Sequence, residues 1–183
     1  ENHLKNIGLI LGDLGLGVYF TFIGKYEKGD NYIKKSIENS MKTEIQGLYS
    51  LASRFLAESL LLQGKHEESL SFYEKSYDIA IQTDMILWNF GSLIGIAINR
   101  KKLGLEIDYD AVEKEKKLKS KKNSSDADLA FINYCYYIIF EDNRYLKLSY
   151  EACTRLSNEI YINNRDQFLN CPWIILTTKE WEK

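Results

Sequence analysis

The stretch "GKYEKGDNYIKKSIENSMKTE", residues 24–44, returns as "GKHEESLSFYEKSYDIAIQTD", residues 64–84. Laid over each other without a gap, the two share Gly, Lys, Glu, Lys, Ser and Thr at matching places. Tyr32 meets Phe72, Glu38 meets Asp78, and Glu44 meets Asp84. The offset is 40 residues; 40 more lands on Gly104, and a further 39 on Asn143, followed by "RYLKLSYEACTRLS". Self-similarity at a fixed spacing of this size marks a repeat architecture. We read four units, 4–43, 44–83, 84–123 and 124–163, the last two degenerate.

Each unit reads as a pair of helices. Leu48, Leu51, Ala52, Phe55, Leu56, Ser59 and Leu62 recur with a helical period. Gly64 then interrupts the pattern, as a glycine in the left-handed conformation does at a helix end. Leu70, Tyr73, Tyr77, Ala80 and Ile81 share one face of the partner helix. "TEIQ", from Thr43 to Gln46, fits a capping box, with Thr83 in the equivalent place and "SSDADL" (Ser124–Leu129) capping the fourth unit. The spacing predicts first helices at 4–23, 44–63, 84–103 and 126–142, and second helices at 27–42, 67–82, 109–121 and 145–163. No segment alternates with period two for long enough to make a strand, and Pro172 is the only proline. A lone helical hairpin cannot bury its own apolar face, so stability must come from stacking.

The residues that carry the repeat resemble the tetratricopeptide repeat: a large-small pair and a bulky residue in the first helix, a glycine, then tyrosine and a small residue in the second. The first unit supplies Leu16 and Gly17, Phe20, Gly24, Tyr26 and Gly29. The second supplies Leu56 and Ala57, Leu60, Gly64, His66 and Ser69, with Tyr73 and Ser76 beyond. The third keeps Ile96, Ala97 and Gly104, but sets Arg100 at the bulky place and Glu106 at the tyrosine place. The fourth keeps Tyr145 but has Cys135 and Tyr136 where a large-small pair belongs. The closing proline of the family is absent, and the spacing is longer than the family's usual 34 or so. It is similar to the longer variety in bacterial signalling regulators.

The resemblance implies an all-α fold, a right-handed α-solenoid of stacked antiparallel helical hairpins filling the chain as one domain. It also implies a concave wall, lined by the first helices, that binds a protein or peptide segment. Carried over position by position, the contacting residues are Leu14, Val18 and Thr21; Arg54, Glu58 and Leu61; Ile94, Ile98 and Lys101; and Asn133, Tyr137 and Phe140. The apolar members could instead pack within the superhelix, and Arg54 with Glu58 would then form an i,i+4 pair. The function this implies is a scaffold or sensor, as the regulatory domain of a larger cytosolic signalling or transcription-control protein. Opening on Glu1 rather than methionine fits a piece of a longer chain. The alternative is a structural module that self-assembles without a groove ligand.

Composition sets further limits. A net charge of −2 gives no global pull toward nucleic acid or anionic lipid. The three cysteines, Cys135, Cys153 and Cys171, form no CxxC pair and read as reduced thiols in the cytoplasm. With only His3 and His66 as histidines, neither near a cysteine in sequence, no metal site is expected. His66 stands at the repeat's tyrosine place and reads as a packing residue. Asp108 and Asp110 sit at a helix start, where carboxylates favour the dipole. No nucleophile–base constellation is visible, so neither enzyme activity nor a cofactor is expected.

Three stretches remain. The run "KEKKLKSKK" (Lys114–Lys122) reads as a solvated face, and is the one place where phosphates or an acidic partner could be gripped. The tail, 164–183, reads either as a capping helix opened by Pro172, with Trp173, Leu176 and Trp181 covering the last hairpin, or as a truncated fifth unit. "IGLILGDLGLGVYFTFIG", residues 7–24, is apolar but carries Asp13 and is short for a bilayer, so no membrane association is expected. In the repeat frame Gly12 aligns with Ala52 and Ser92, and Gly17 with Ala57 and Ala97, places where a neighbouring helix would come close. Gly8 and Gly15 have no such account. The apolarity of this helix points to something packed over it, and a homodimer through exposed terminal helices is one way to supply it.

Overall fold

The computed structural model describes residues 2–83, 86–119, 125–159 and 171–183. Every regular element in them is an α-helix, so the fold class is all-α. The chain falls into two compact units, 1–112 and 113–183. Residues 84–85, 120–124 and 160–170 lie outside the described residues, and with them the ends of several predicted helices and the Ser124 cap.

The first unit holds α1 (Asn2–Phe22), α2 (Tyr26–Lys42), α3 (Gln46–Leu62), α4 (His66–Gln82), α5 (Ile86–Lys102) and the start of α6 (Tyr109–Lys119). The 40-residue step of the sequence is kept to the residue: α4 has the bounds of α2 advanced by 40, and α5 those of α3. Consecutive helices pack pairwise from α1 to α5, and the odd helices also touch one another, α1 with α3 and α3 with α5.

The turns explain the regularity. Gly24, Gly64 and Gly104 take φ of 74°, 75° and 69°, the left-handed region that costs a side chain. At each, two backbone N–H groups reach back to carbonyls of the last helical turn, as from Gly24 to Thr21 and from Lys25 to Phe20. The α2–α3 turn has the same bonds, from Glu44 to Met41 and from Ile45 to Ser40, but a glutamate at φ 57°. That geometry overturns the expected capping box. Thr43 closes α2 instead of opening α3: its hydroxyl donates to the Asn39 carbonyl at 2.8 Å, and no side chain caps α3. Thr83 does the same for Ile79 at 2.7 Å. A threonine after a helix serves the orphan carbonyls behind it, and here those win over the N–H groups ahead.

Serine hydroxyls hold the hairpins in register. Ser36 donates to the Ile10 carbonyl at 3.0 Å, and Ser76, 40 residues on, to that of Ser50 at 2.9 Å. Small residues bring the helices close enough for this. A Cβ on Gly17 would overlap Ile33 and stand 3.0 Å from the Gly29 carbonyl oxygen, so Gly17 does mark a close approach. Gly12 does not: a Cβ there would meet nothing within 4 Å, and the residue is exposed. Leu14, Ile33, Ile37, Ala52, Leu56 and Leu60 form the core between α1, α2 and α3.

The second unit contains the rest of α6, then α7 (Asp126–Phe140), α8 (Asn143–Glu159) and α9 (Pro172–Trp181). The α7–α8 turn departs from the predicted step. Its left-handed residue is Glu141, φ 55°, which is 37 residues after Gly104 rather than at Asn143. Ser149 repeats the serine device, donating to the Ala130 carbonyl at 2.7 Å. The helix α9 starts at Pro172, with Cys171 at the cap position, and packs on α7 and α8. Trp173 is buried against Phe131 and Tyr134, while Trp181 stacks on Tyr150. Leu176 is exposed.

Candidate peptide-binding surfaces

The twelve residues implied by the resemblance divide by unit. In the first, Leu14 is part of the buried core and Val18 packs against it. Thr21 is buried with its hydroxyl beside Gly29. Ile94 and Ile98 are buried in α5, while Leu61 and Lys101 are half-buried. The apolar positions of this stripe therefore serve the interior first.

Arg54 and Glu58 are different. They lie one turn apart on α3 with N···O at 3.9 Å, and Glu58 is buried. The Arg54 guanidinium lies over the Phe55 ring at 4.2 Å. It also lies flat against Gly91 of α5, where a Cβ would stand 2.9 Å from its Nη1. A half-buried cation spread across two odd helices is a surface a partner's carboxylate can engage at small ordering cost.

In the second unit, Asn133 bonds its own helix, donating to the Leu129 carbonyl at 2.8 Å. Phe140 forms, with Tyr136 and Tyr145, an aromatic enclosure around the Lys116 ammonium, whose centroid distances are 5.0 to 5.6 Å. Lys116 also bonds the Tyr145 hydroxyl and pairs with Glu113 at 3.0 Å. Burial alone would lower its pKa, but the bonds to Tyr145 and Glu113 outweigh burial and hold it above the ordinary value. One member of the lysine run is thus a packing residue rather than a solvated one. Lys114 and Lys117 are exposed, and the run beyond Lys119 lies outside the described residues.

Tyr137 lines an open groove of about 730 Å3 with Asn143, Arg144, Leu146, Lys147, Glu180, Trp181 and Lys183. Sequence reasoning found only Tyr137 of these. The others come together because α9 folds back on α7 and α8, as the capping-helix reading of the tail expects, though that reading does not say which side chains meet there. Tyr137 faces Glu180: its hydroxyl donates to Oε2 at 3.5 Å, and Lys183 Nζ donates to Oε1 at 2.6 Å. Burial and the Glu180 carboxylate raise the phenol's pKa, so Tyr137 stays a neutral donor. Arg144 pairs with Asp142 at 2.6 Å, and Lys147 with Glu151 at 3.9 Å. An aromatic and aliphatic floor with cations at the rim suits a peptide with an apolar anchor and nearby acids.

The remaining polar candidates are structural. His66 faces the Asn99 side chain at 3.1 Å, and Asn99 donates to Ser69 at 2.9 Å, which ties α4 to α5. Asp108 caps α6 by accepting from the Ala111 N–H at 2.9 Å. Cys135 and Cys153 are buried thiols, and burial pushes Cys153 up to about 11, which makes it a poor nucleophile. Among the described residues no His, Cys, Asp and Glu group could hold a metal ion, and no helix is long and apolar enough to cross a membrane. The chain matches no family model, no curated protein and no solved structure.

Proposed function

We propose that this chain is a protein- or peptide-binding module built as a solenoid of tetratricopeptide-like hairpins. It would serve as the regulatory or scaffolding part of a cytoplasmic signalling or transcription-control protein. The observation that carries the reading is the 40-residue translation of α2 onto α4 and of α3 onto α5, with odd helix touching odd helix. Repeats of that kind expose a long wall whose side chains are free to vary while the serine, glycine and core positions hold the frame. Arg54 on that wall, and the Tyr137–Trp181 groove of the second unit, are the surfaces with both an apolar floor and a charge to orient a partner. Function in such folds resides in those side chains, not in the frame.

The test is peptide selection from a display library on the wild type, followed by binding measurements on Arg54→Ala and Tyr137→Ala. Peptides that bind the wild type and lose about tenfold, some 1.4 kcal/mol, on one variant support the reading. Enrichment that neither variant disturbs counts against these surfaces. The regulatory sub-reading stands or falls separately: a neighbouring DNA-binding, ATPase or kinase domain in the intact gene supports it, and a gene ending at both borders of this chain removes it.

A further inference from the structure

The groove beside Tyr137 already holds a carboxylate, and that carboxylate belongs to the chain itself. The early part of α9 is fixed: Trp173, Ile174 and Thr177 are buried, and Thr177 Oγ1 lies 3.2 Å from the Ser149 hydroxyl. Its last turn is looser, with Trp181 40% exposed and the Lys183 side chain 70% exposed. Glu180 sits in that turn between two donors. The Tyr137 hydroxyl donates to Oε2 at 3.5 Å, the outer limit of hydrogen-bond distance. Lys183 donates to Oε1 at 2.6 Å, but as an exposed i,i+3 pair whose net worth is small, because water competes for both ends. Glu180 can therefore leave this seat by a side-chain rotation, with the buried part of α9 in place.

Positive charge is in excess around the seat. The charged side chains lining the groove are Arg144, Lys147 and Lys183 against Glu180 alone. The acids that pair with Arg144 and Lys147 are Asp142 and Glu151, and neither lines the groove. Asp142 holds Arg144 closely, at 2.6 Å, whereas Glu151 stands 3.9 Å from a Lys147 that is largely exposed. Lys147 on α8 and Lys183 on α9 are thus the cations most available to a partner. Apolar surface lies between them: Leu146 is buried, and the Trp181 ring is braced by stacking on Tyr150 at 5.1 Å. A ligand with carboxylates around an apolar side chain meets complementary groups throughout. A basic ligand meets like charges, which suppress the wrong partner.

We infer that the groove takes an acidic peptide with an apolar anchor, and that one peptide carboxylate replaces Glu180 between Lys183 and the Tyr137 hydroxyl. Glu180 is then a resident competitor, and binding exchanges one carboxylate for another. This rests on the peptide-binding reading of the same groove, to which it adds the ligand's charge and the contact that must be displaced.

Fluorescence anisotropy on the full chain tests it, with the labelled peptide Glu-Asp-Glu-Phe-Leu-Glu-Asp-Glu as probe. A second peptide carries lysines in place of the acids, and a third carries serines in place of Phe-Leu. The first is expected to bind at low salt and to weaken as salt rises. The other two are expected to bind at least about tenfold more weakly. Glu180→Gln is expected to tighten binding about threefold or more, a gain that misfolding cannot mimic. Glu182→Gln makes the same charge change at an exposed residue that does not line the groove, and is expected to leave binding nearly unchanged. Lys147→Ala and Tyr137→Phe are expected to weaken it. Equal gains from Glu180→Gln and Glu182→Gln overturn the exchange, since overall charge alone would then be read. A serine peptide that binds as well as the first overturns the anchor. If display-selected peptides bind and are lost on Tyr137→Ala while the acidic probe does not bind, peptide binding stands and the acidic ligand is overturned. A chain that selects no peptide at all overturns both.

Discussion

The two units hold the same hairpin by different means. In the first, α2 and α4 lock onto their neighbours through serines at identical spacing and through side chains small enough for backbones to approach. In the second, a serine bond survives at Ser149, but most of the work passes to rings: Phe131, Tyr134 and Trp173 on one side, Tyr136, Phe140 and Tyr145 around Lys116 on the other. Small-residue packing tolerates little change in spacing, because a slip of one residue brings a side chain where only a hydrogen fits. Ring packing tolerates more, and the second unit is where the repeat loses its step.

Removing a large ring should break the second unit hardest. Trp173 is buried and touches two rings, so Trp173→Ala is expected to cost about 3–5 kcal/mol. Hydrogen exchange should show the loss in α7, α8 and α9. Retained protection in those helices would mean that α9 is only an appendage. The matching change in the first unit adds a methyl group rather than removing a ring. Gly17→Ala puts a Cβ against Ile33 and the backbone of Gly29, which cannot retreat without parting α1 from α2. The expected cost is about 1–3 kcal/mol, read from the denaturation midpoint. Gly12→Ala, facing open space, is the control and should not destabilise the monomer; equal losses in both would erase the distinction between the two glycines.

That contrast also shows what was legible in the sequence. Helix bounds in the first unit were, because the hydrophobic period and the glycines at 24, 64 and 104 agree with each other. Gly12 was misread for a physical reason: its alignment with Ala52 and Ser92 correctly marks a helix-accepting place, but alignment cannot say whether a helix is there. The fourth turn was displaced because Glu141 adopts a conformation that sequence reading reserves for glycine. Of the second-unit groove only Tyr137 was marked as a contact residue: Pro172 and the tryptophans announce a capping helix over the last hairpin, but not that its return would set Trp181 and Lys183 beside Arg144 and Lys147. Lys116 was hidden among lysines that look alike until three rings select one of them.

The smallest expected effect concerns the turns that glycine does not serve. Glu44 makes the same pair of backbone bonds as Gly24, yet bears a Cβ at φ 57°. Holding an L-residue there costs roughly 1–2 kcal/mol. Glutamate stands where the turns at Gly24, Gly64 and Gly104, which make the same pair of bonds, carry glycine, and its side chain is exposed, so no packing is lost by removing it. Glu44→Gly is therefore expected to stabilise the first unit by a few tenths to about 1 kcal/mol, less than the full strain because glycine also gains freedom in the unfolded chain. The mirror change, Gly64→Ala, should destabilise by about 1 kcal/mol or slightly more. Opposite signs in thermal melts of the two variants would show that a shared turn geometry, rather than the identity of either residue, sets the repeat's step. The same sign in both would mean that the α2–α3 turn relaxes in solution, and that the 40-residue register is held by the serines alone.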